Sequence, residues 1–216
     1  MNRFSSCMFG LALLGLAGQA QARTPTGVRL GAEPSSAEHV EILARFSHCV
    51  AQQSPGRARH ILSLDFTSRR YQRDIRQLAS DSTRCLQRGT LHFSTLLFAG
   101  GMAEALMRER HMLDNLETAV AHDAARPPYA AHDETEVMSL CVVRAAPAQA
   151  AQLFRTGAAS ADERRAFGEI TPHFTACLGA GNQLRMNLIA ARALLALAAY
   201  HLATHERPET RAPAAS

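Results

Sequence analysis

Residues 46–89 read FSHCVAQQSPGRARHILSLDFTSRRYQRDIRQLASDSTRCLQRG, and 92 positions later residues 138–181 read MSLCVVRAAPAQAAQLFRTGAASADERRAFGEITPHFTACLGAG. The two stretches align without a gap. Eleven of their 44 positions are identical, among them Ser47/Ser139, Cys49/Cys141, Val50/Val142, Pro55/Pro147, Cys85/Cys177, Leu86/Leu178 and Gly89/Gly181. Cys49 and Cys85 are 36 residues apart, and so are Cys141 and Cys177. Apolar positions correspond as well, at Phe46/Met138, Ile61/Leu153, Ile75/Phe167 and Leu78/Ile170. After the paired glycines, a one-residue insertion in the second copy brings Leu91 opposite Leu184 and Ala103 opposite Ala196. Self-similarity at a fixed period marks a duplicated structural unit.

Each copy reads as four helices. In the first, Ser35-Ser36-Ala37-Glu38 is a capping box that opens a helix running to Gln53. Ser54-Pro55 places a proline at the first position of a short helix that ends near Ser63. Thr67 or Ser68 caps a third helix through Cys85 to Gln87, with Gly89 as its stop. Thr90 opens a fourth, apolar helix through Leu96, Phe98, Met102 and Leu106 to Met112. The second copy repeats the signals: Asp133 with Glu136, then Pro147, then Ser160 with Glu163, with Gly181 as the stop and Asn182 opening the fourth helix. No strand pattern of useful length interrupts them. The expected fold is all-α, a helical bundle of two tandem four-helix repeats related by a pseudo-twofold. Its single domain spans 35–206, with repeat one at 35–112, a connector at 113–132 that carries Pro127-Pro128, and repeat two at 133–206.

The flanks point to export. Residues 1–22 carry Arg3, an apolar run from Met8 to Gly18 and the cleavage pattern Ala20-Gln21-Ala22, which together form a signal peptide. The apolar run falls short of the roughly 20 residues that span a bilayer. No membrane span is expected once the leader is removed. Cys7 departs with it and leaves four cysteines in an oxidising compartment, periplasmic or extracellular. Residues 23–34 and 207–216 are Pro-, Gly- or Ala-rich and read as disordered.

Four cysteines allow three pairings. If the first three helices of a copy run up, down and up, the ends that carry its two cysteines meet. The expected bridges are therefore Cys49–Cys85 and Cys141–Cys177. Each closes a loop of 36 residues. In the chain-entropy picture such a loop contributes about 4 kcal/mol, before any strain is subtracted.

Several chemistries are excluded or weakened by composition. All 23 basic residues are arginines, so Schiff-base lysines and Ser–Lys dyads are impossible. Removing the leader takes one arginine and no acid, and leaves a surplus of only three positive charges. That surplus is too small and too scattered for a nucleic-acid surface. No C-x2-C pair, C-x-x-C-H motif, phosphate loop, dinucleotide fingerprint or G-x-S-x-G elbow is present. His48-Cys49 has the look of a catalytic pair, but the cysteine is expected to be oxidised and Leu140 stands at the sister position of His48. The run Asp133 to Glu136 reads as a helix cap. No catalytic residue and no cofactor are expected.

The remaining candidates are few. The fourth helices hold one central charge each, Glu104 in the first copy and Arg192 in the second. Packed together they would form a core charge pair, since a buried charge requires a partner. Met107, His111 and Met112 combine thioethers with imidazole, a set suited to Cu(I). His201 and His205 share one helix face at a spacing that can hold zinc, without the companion glutamate.

The pattern Cys141-Val142-Val143, Pro147, Ser160 to Glu163, Cys177-Leu178, Gly181, Arg192 and Tyr200 resembles a family of exported alphaproteobacterial helical proteins of uncharacterised function. The resemblance covers residues 38–202 and implies no activity, cofactor or partner. The first copy departs from it, with Ala99 at the arginine position and Met107 at the tyrosine position. Two functions fit: a non-enzymatic binding or interaction module, with a small ligand or an envelope protein as partner, or periplasmic copper or zinc handling.

Overall fold

The computed structural model describes residues 36–86, 91–122, 127–178 and 186–205. The expected leader at 1–22, the segment at 23–34 and the tail at 207–216 lie outside these residues, as do Gln87, Gly89, Thr90, Gly181 and Asn182. The described residues form an all-α fold with no strand among them. In chain order the helices are α1 (Ala37–Gln53), α2 (Pro55–Leu62), α3 (Arg69–Asp81), α4 (Thr95–Glu109), α5 (Leu116–Val120), α6 (Glu134–Ala145), α7 (Pro147–Arg155), α8 (Ala161–Cys177) and α9 (Leu188–Thr204). Two 3₁₀ turns, Thr83–Cys85 and Met112–Asn115, complete the order. No single described helix is long and apolar enough to cross a membrane.

Side-chain caps decide where most of these helices start. Ser36, one residue later than expected, accepts from the His39 N–H at 3.2 Å. Ser68, Asp133 and Ser160 cap α3, α6 and α8 in the same way. The fourth helix of the first copy starts at Thr95 instead of Thr90, because Ser94 supplies the capping hydroxyl to the Leu97 N–H. Its counterpart α9 starts after Asn187, whose side chain accepts from the Ala190 N–H at 2.8 Å.

Two helix ends also differ from expectation. The third helix stops at Asp81, four residues before its cysteine. There the Ser82 hydroxyl donates to the Leu78 carbonyl at 2.7 Å, and Cys85 is reached through a 3₁₀ turn. The sister helix α8 runs unbroken to Cys177. The fourth helix ends at Glu109 instead of Met112, because His111 adopts a left-handed conformation with φ 54°.

Both disulfides form within a copy, Cys49 to Cys85 and Cys141 to Cys177, with Cα–Cα separations of 5.6 and 5.8 Å. They tie the ends of α1 and α6 to the segments that close α3 and α8.

The core lies where α4 packs against α9 on one side and α1 on the other. Gly100 and Gly101 make this possible. A Cβ on Gly100 would stand 2.5 Å from the Ala193 Cα, and one on Gly101 would stand 2.6 Å from the Ser47 Cβ. No side chain has room at either place, so α4 lies directly against the Ala193 backbone on one side and the Ser47 side chain on the other. Phe46, Phe93 and Phe98 fill the space below, with ring centroids 5.1–5.8 Å apart. Polar and charged groups drawn into this core need partners, and the functional question turns on how they find them.

Candidate functional site

Two buried polar centres flank the α4–α9 seam. The first surrounds Arg192, which is 7% exposed. Its Nε donates to Glu104 Oε2 at 2.9 Å and its Nη2 to Glu104 Oε1 at 2.6 Å, a bidentate pair. Its Nη1 donates to Glu163 Oε1 at 2.8 Å and to Thr156 Oγ1 at 3.1 Å, and Nη2 also reaches the Thr156 carbonyl at 2.9 Å. All five guanidinium hydrogens are thereby used.

Glu104 accepts further from Arg108 Nη2 at 2.5 Å, and Arg108 also donates to the Phe154 carbonyl. Glu163 takes its second bond from the Ala159 N–H at 2.8 Å. Two carboxylates and two guanidiniums balance. Burial alone would lower the Arg192 pKa, but the bonds and charges of Glu104 and Glu163 raise it above its ordinary value. A cavity of only about 50 Å³ remains beside this network.

The second centre surrounds Glu136, at the start of α6 and 9% exposed. Oε1 accepts from the Tyr129 hydroxyl at 2.7 Å. Oε2 accepts from the His132 N–H at 2.7 Å and from its Nδ1 at 2.9 Å. The far side of the His132 ring faces Asp65, with Nε2 3.5 Å from Oδ1. His201 stacks on Tyr129 with centroids 4.9 Å apart, and its Nε2 donates to the Leu62 carbonyl at 3.0 Å. The His201 Nδ1 lies 3.4 Å from Glu136 Oε1, buried and without a hydrogen bond. His205 stands edge-on to Tyr129 at 5.2 Å, with its Nε2 buried and unsatisfied.

Burial works against the charge of Glu136. The His201 ring, the His132 backbone, Tyr129 and the His132 ring outweigh it and hold the carboxyl at about 2. Burial and the bond to that carboxylate push the Tyr129 phenol well above its ordinary range. Thr67 holds Asp65 low through its hydroxyl and its N–H.

Two hollows meet at this second centre. The inner one, about 200 Å³, is apolar, and Phe66, Tyr71, Leu197, Ser139, Glu136 and His201 are among its walls. The outer one is a cleft of about 650 Å³ that shares Leu62, Leu64 and His201 with the first and includes Arg59, Arg110 and Tyr200. The Ser139 hydroxyl donates to the Thr135 carbonyl and the Ser47 hydroxyl to the Leu43 carbonyl. The arrangement can bind and orient a molecule.

The other residues singled out from the sequence fall as follows. Met107 is fully buried, whereas the His111 side chain is 87% exposed and lies past the helix end. Thioether and imidazole therefore do not converge. Met112 begins the following 3₁₀ turn, packed against the core. His201 and His205 share a helix face, yet both rings pack on Tyr129. Among the described residues no group of three or more His, Cys, Asp or Glu side chains is arranged to hold a metal.

Sequence reasoning missed the Glu136 centre because its members sit at positions 65, 129, 132, 136 and 201. Glu136 does serve its expected role in the cap, where its N–H meets Asp133 Oδ1 at 2.8 Å. The overlooked signal was Tyr129 and His132, an aromatic and an imidazole inside a connector read as a spacer. Set against known proteins, the chain matches no family model, no curated protein and no solved structure, and its site is read from its own chemistry.

Proposed function

We propose that this is an exported, disulfide-stapled helical binding protein of the periplasm or the extracellular medium. It takes a small apolar or amphipathic molecule into the cavity beside Glu136. It is built from two copies of one four-helix unit about a pseudo-twofold, as in the alphaproteobacterial family its sequence resembles. The two intramolecular disulfides support an oxidising compartment.

One observation carries the reading. The register of 92 residues, 93 after the paired glycines, carries the surroundings of the small cavity onto those of the large one. Ser47 maps onto Ser139, Ala44 onto Glu136, Glu163 onto Tyr71 and Glu104 onto Leu197. The first member of each pair borders the 50 Å³ cavity and the second borders the 200 Å³ cavity. Arg192 maps onto Ala99. At the small cavity Arg192 with Glu104 and Glu163 fills the space, whereas at the large one the corresponding Leu197 and Tyr71 leave it open and apolar. Apolar surface left uncovered in a hollow of this size forgoes packing contacts. A void kept at one of two equivalent places, with a fixed carboxylate at its rim, is a binding site.

The test is binding of the neutral probe N-phenyl-1-naphthylamine to the purified chain, read by fluorescence. Saturable binding to the native state is expected, and Leu194→Trp, which fills the cavity, should abolish it while the fold is retained by circular dichroism. Absence of saturable binding, or full binding by the filled variant, would refute the assignment.

A further inference from the structure

We propose that the ligand is an organic anion, and that Arg59, Arg110 and the Tyr200 hydroxyl form the subsite for its charged head. The inference rests on the binding role just given and adds the class of ligand. All three residues line the outer cleft, next to the apolar cavity. The two hollows share Leu62, Leu64 and His201, so a molecule with its body in one would place its head in the other.

Tyr200 lines the cleft with its ring buried, and its hydroxyl keeps access to solvent and has no hydrogen-bond partner among the described residues. Arg59 and Arg110 form no ion pair with any described residue either. They come from different elements, the last turn of α2 and the residue that ends α4. A basic residue at a helix C-terminus offsets the dipole of its own helix. That does not explain why two such arginines line one cleft together with a hydroxyl that no described residue engages.

The acids of the cleft do not neutralise this end. Asp65 is engaged by Thr67 and His132, and Glu136 by Tyr129 and His132. Both lie toward the connector, whereas the charges that act on the Tyr200 phenol are those of Arg110 and Arg59. An arginine pair with a neutral hydroxyl suits a carboxylate or a phosphate ester, through charge-assisted bonds to its oxygens.

The experiment compares octanoate, octyl phosphate and octan-1-ol, which share one apolar body, by calorimetric titration of the purified chain with both disulfides intact. At least one anion should bind about tenfold or more tighter than the alcohol, and the better of the two identifies the head group. Arg59→Gln combined with Arg110→Gln should bring that anion down to the affinity of octan-1-ol and leave the alcohol unchanged. Tyr200→Phe, which loses no existing bond, should weaken the anion by about threefold to tenfold. Arg73→Gln, an exposed arginine of α3, should change nothing. Alcohol that binds as tightly as both anions, or a double variant that loses alcohol and anion alike, overturns the subsite and leaves the cavity standing as a neutral site. Failure of all three to bind overturns both readings.

Discussion

Arg192 and Glu136 are buried charges of opposite sign, and the protein holds them in opposite ways. Arg192 is enclosed by two carboxylates, a threonine and a backbone carbonyl, with every N–H used and almost no space left. Glu136 has no arginine at all. A phenol, a backbone N–H and imidazoles hold it, and a 200 Å³ cavity opens beside it. A closed, balanced network specifies packing. A carboxylate held at the edge of a cavity leaves room beside it for the apolar body of a ligand. The difference between the two places therefore says more about function than either does alone.

Breaking the closed side should have the larger effect. Arg192→Met leaves Glu104 and Glu163 buried without their main partner and should cost about 3–5 kcal/mol in urea unfolding. A double-mutant cycle between Glu104 and Arg192 should show strong coupling. A loss below about 1 kcal/mol would mean that this network is no more structural than the open one.

On the open side the effect should depend on pH. The Glu136 carboxyl sits at about 2 in the fold, against an ordinary 4.5. A depressed carboxylate stabilises the fold fully above its unfolded value, and the benefit is lost as pH falls from about 4.5 toward about 2. Glu136→Gln should remove about 1–3 kcal/mol at neutral pH, and stability curves of variant and parent should converge toward pH 2. Parallel curves through that window would show that the carboxylate is not held by its neighbours.

The smallest change sharpens the contrast at the loop over Arg192. Ala159 adopts φ 61°, a left-handed conformation that costs a residue with a Cβ, while its N–H holds Glu163. Ala159→Gly should raise stability by about 0.5–1 kcal/mol with the network unchanged. A loss would mean that the loop depends on the stiffness of alanine.

Much of the fold is legible in the chain because its signals are local. Ser68, Asp133 and Ser160 each reach a backbone N–H three residues on, and Pro55 and Pro147 each start a helix. The signals that misled were local as well. Ser94 competes with Thr90 for the same helix start, and the left-handed turn at His111 separates it from Met107. Gly100 and Gly101 carry no local message at all. Their need for a bare backbone comes from Ala193 and Ser47, residues distant in sequence.

The sequence by itself determined an all-helical chain, its cap positions and its cysteine spacing, since each depends on residues a few positions apart or on a repeat visible by eye. Only the tertiary structure decided that Arg192 would be saturated and that Glu136 would border a cavity. Those outcomes depend on which side chains from distant helices fill the same volume. A saturated network and an open cavity can therefore form on the two sides of one seam, because side-chain exchanges at single helical positions alter no backbone signal.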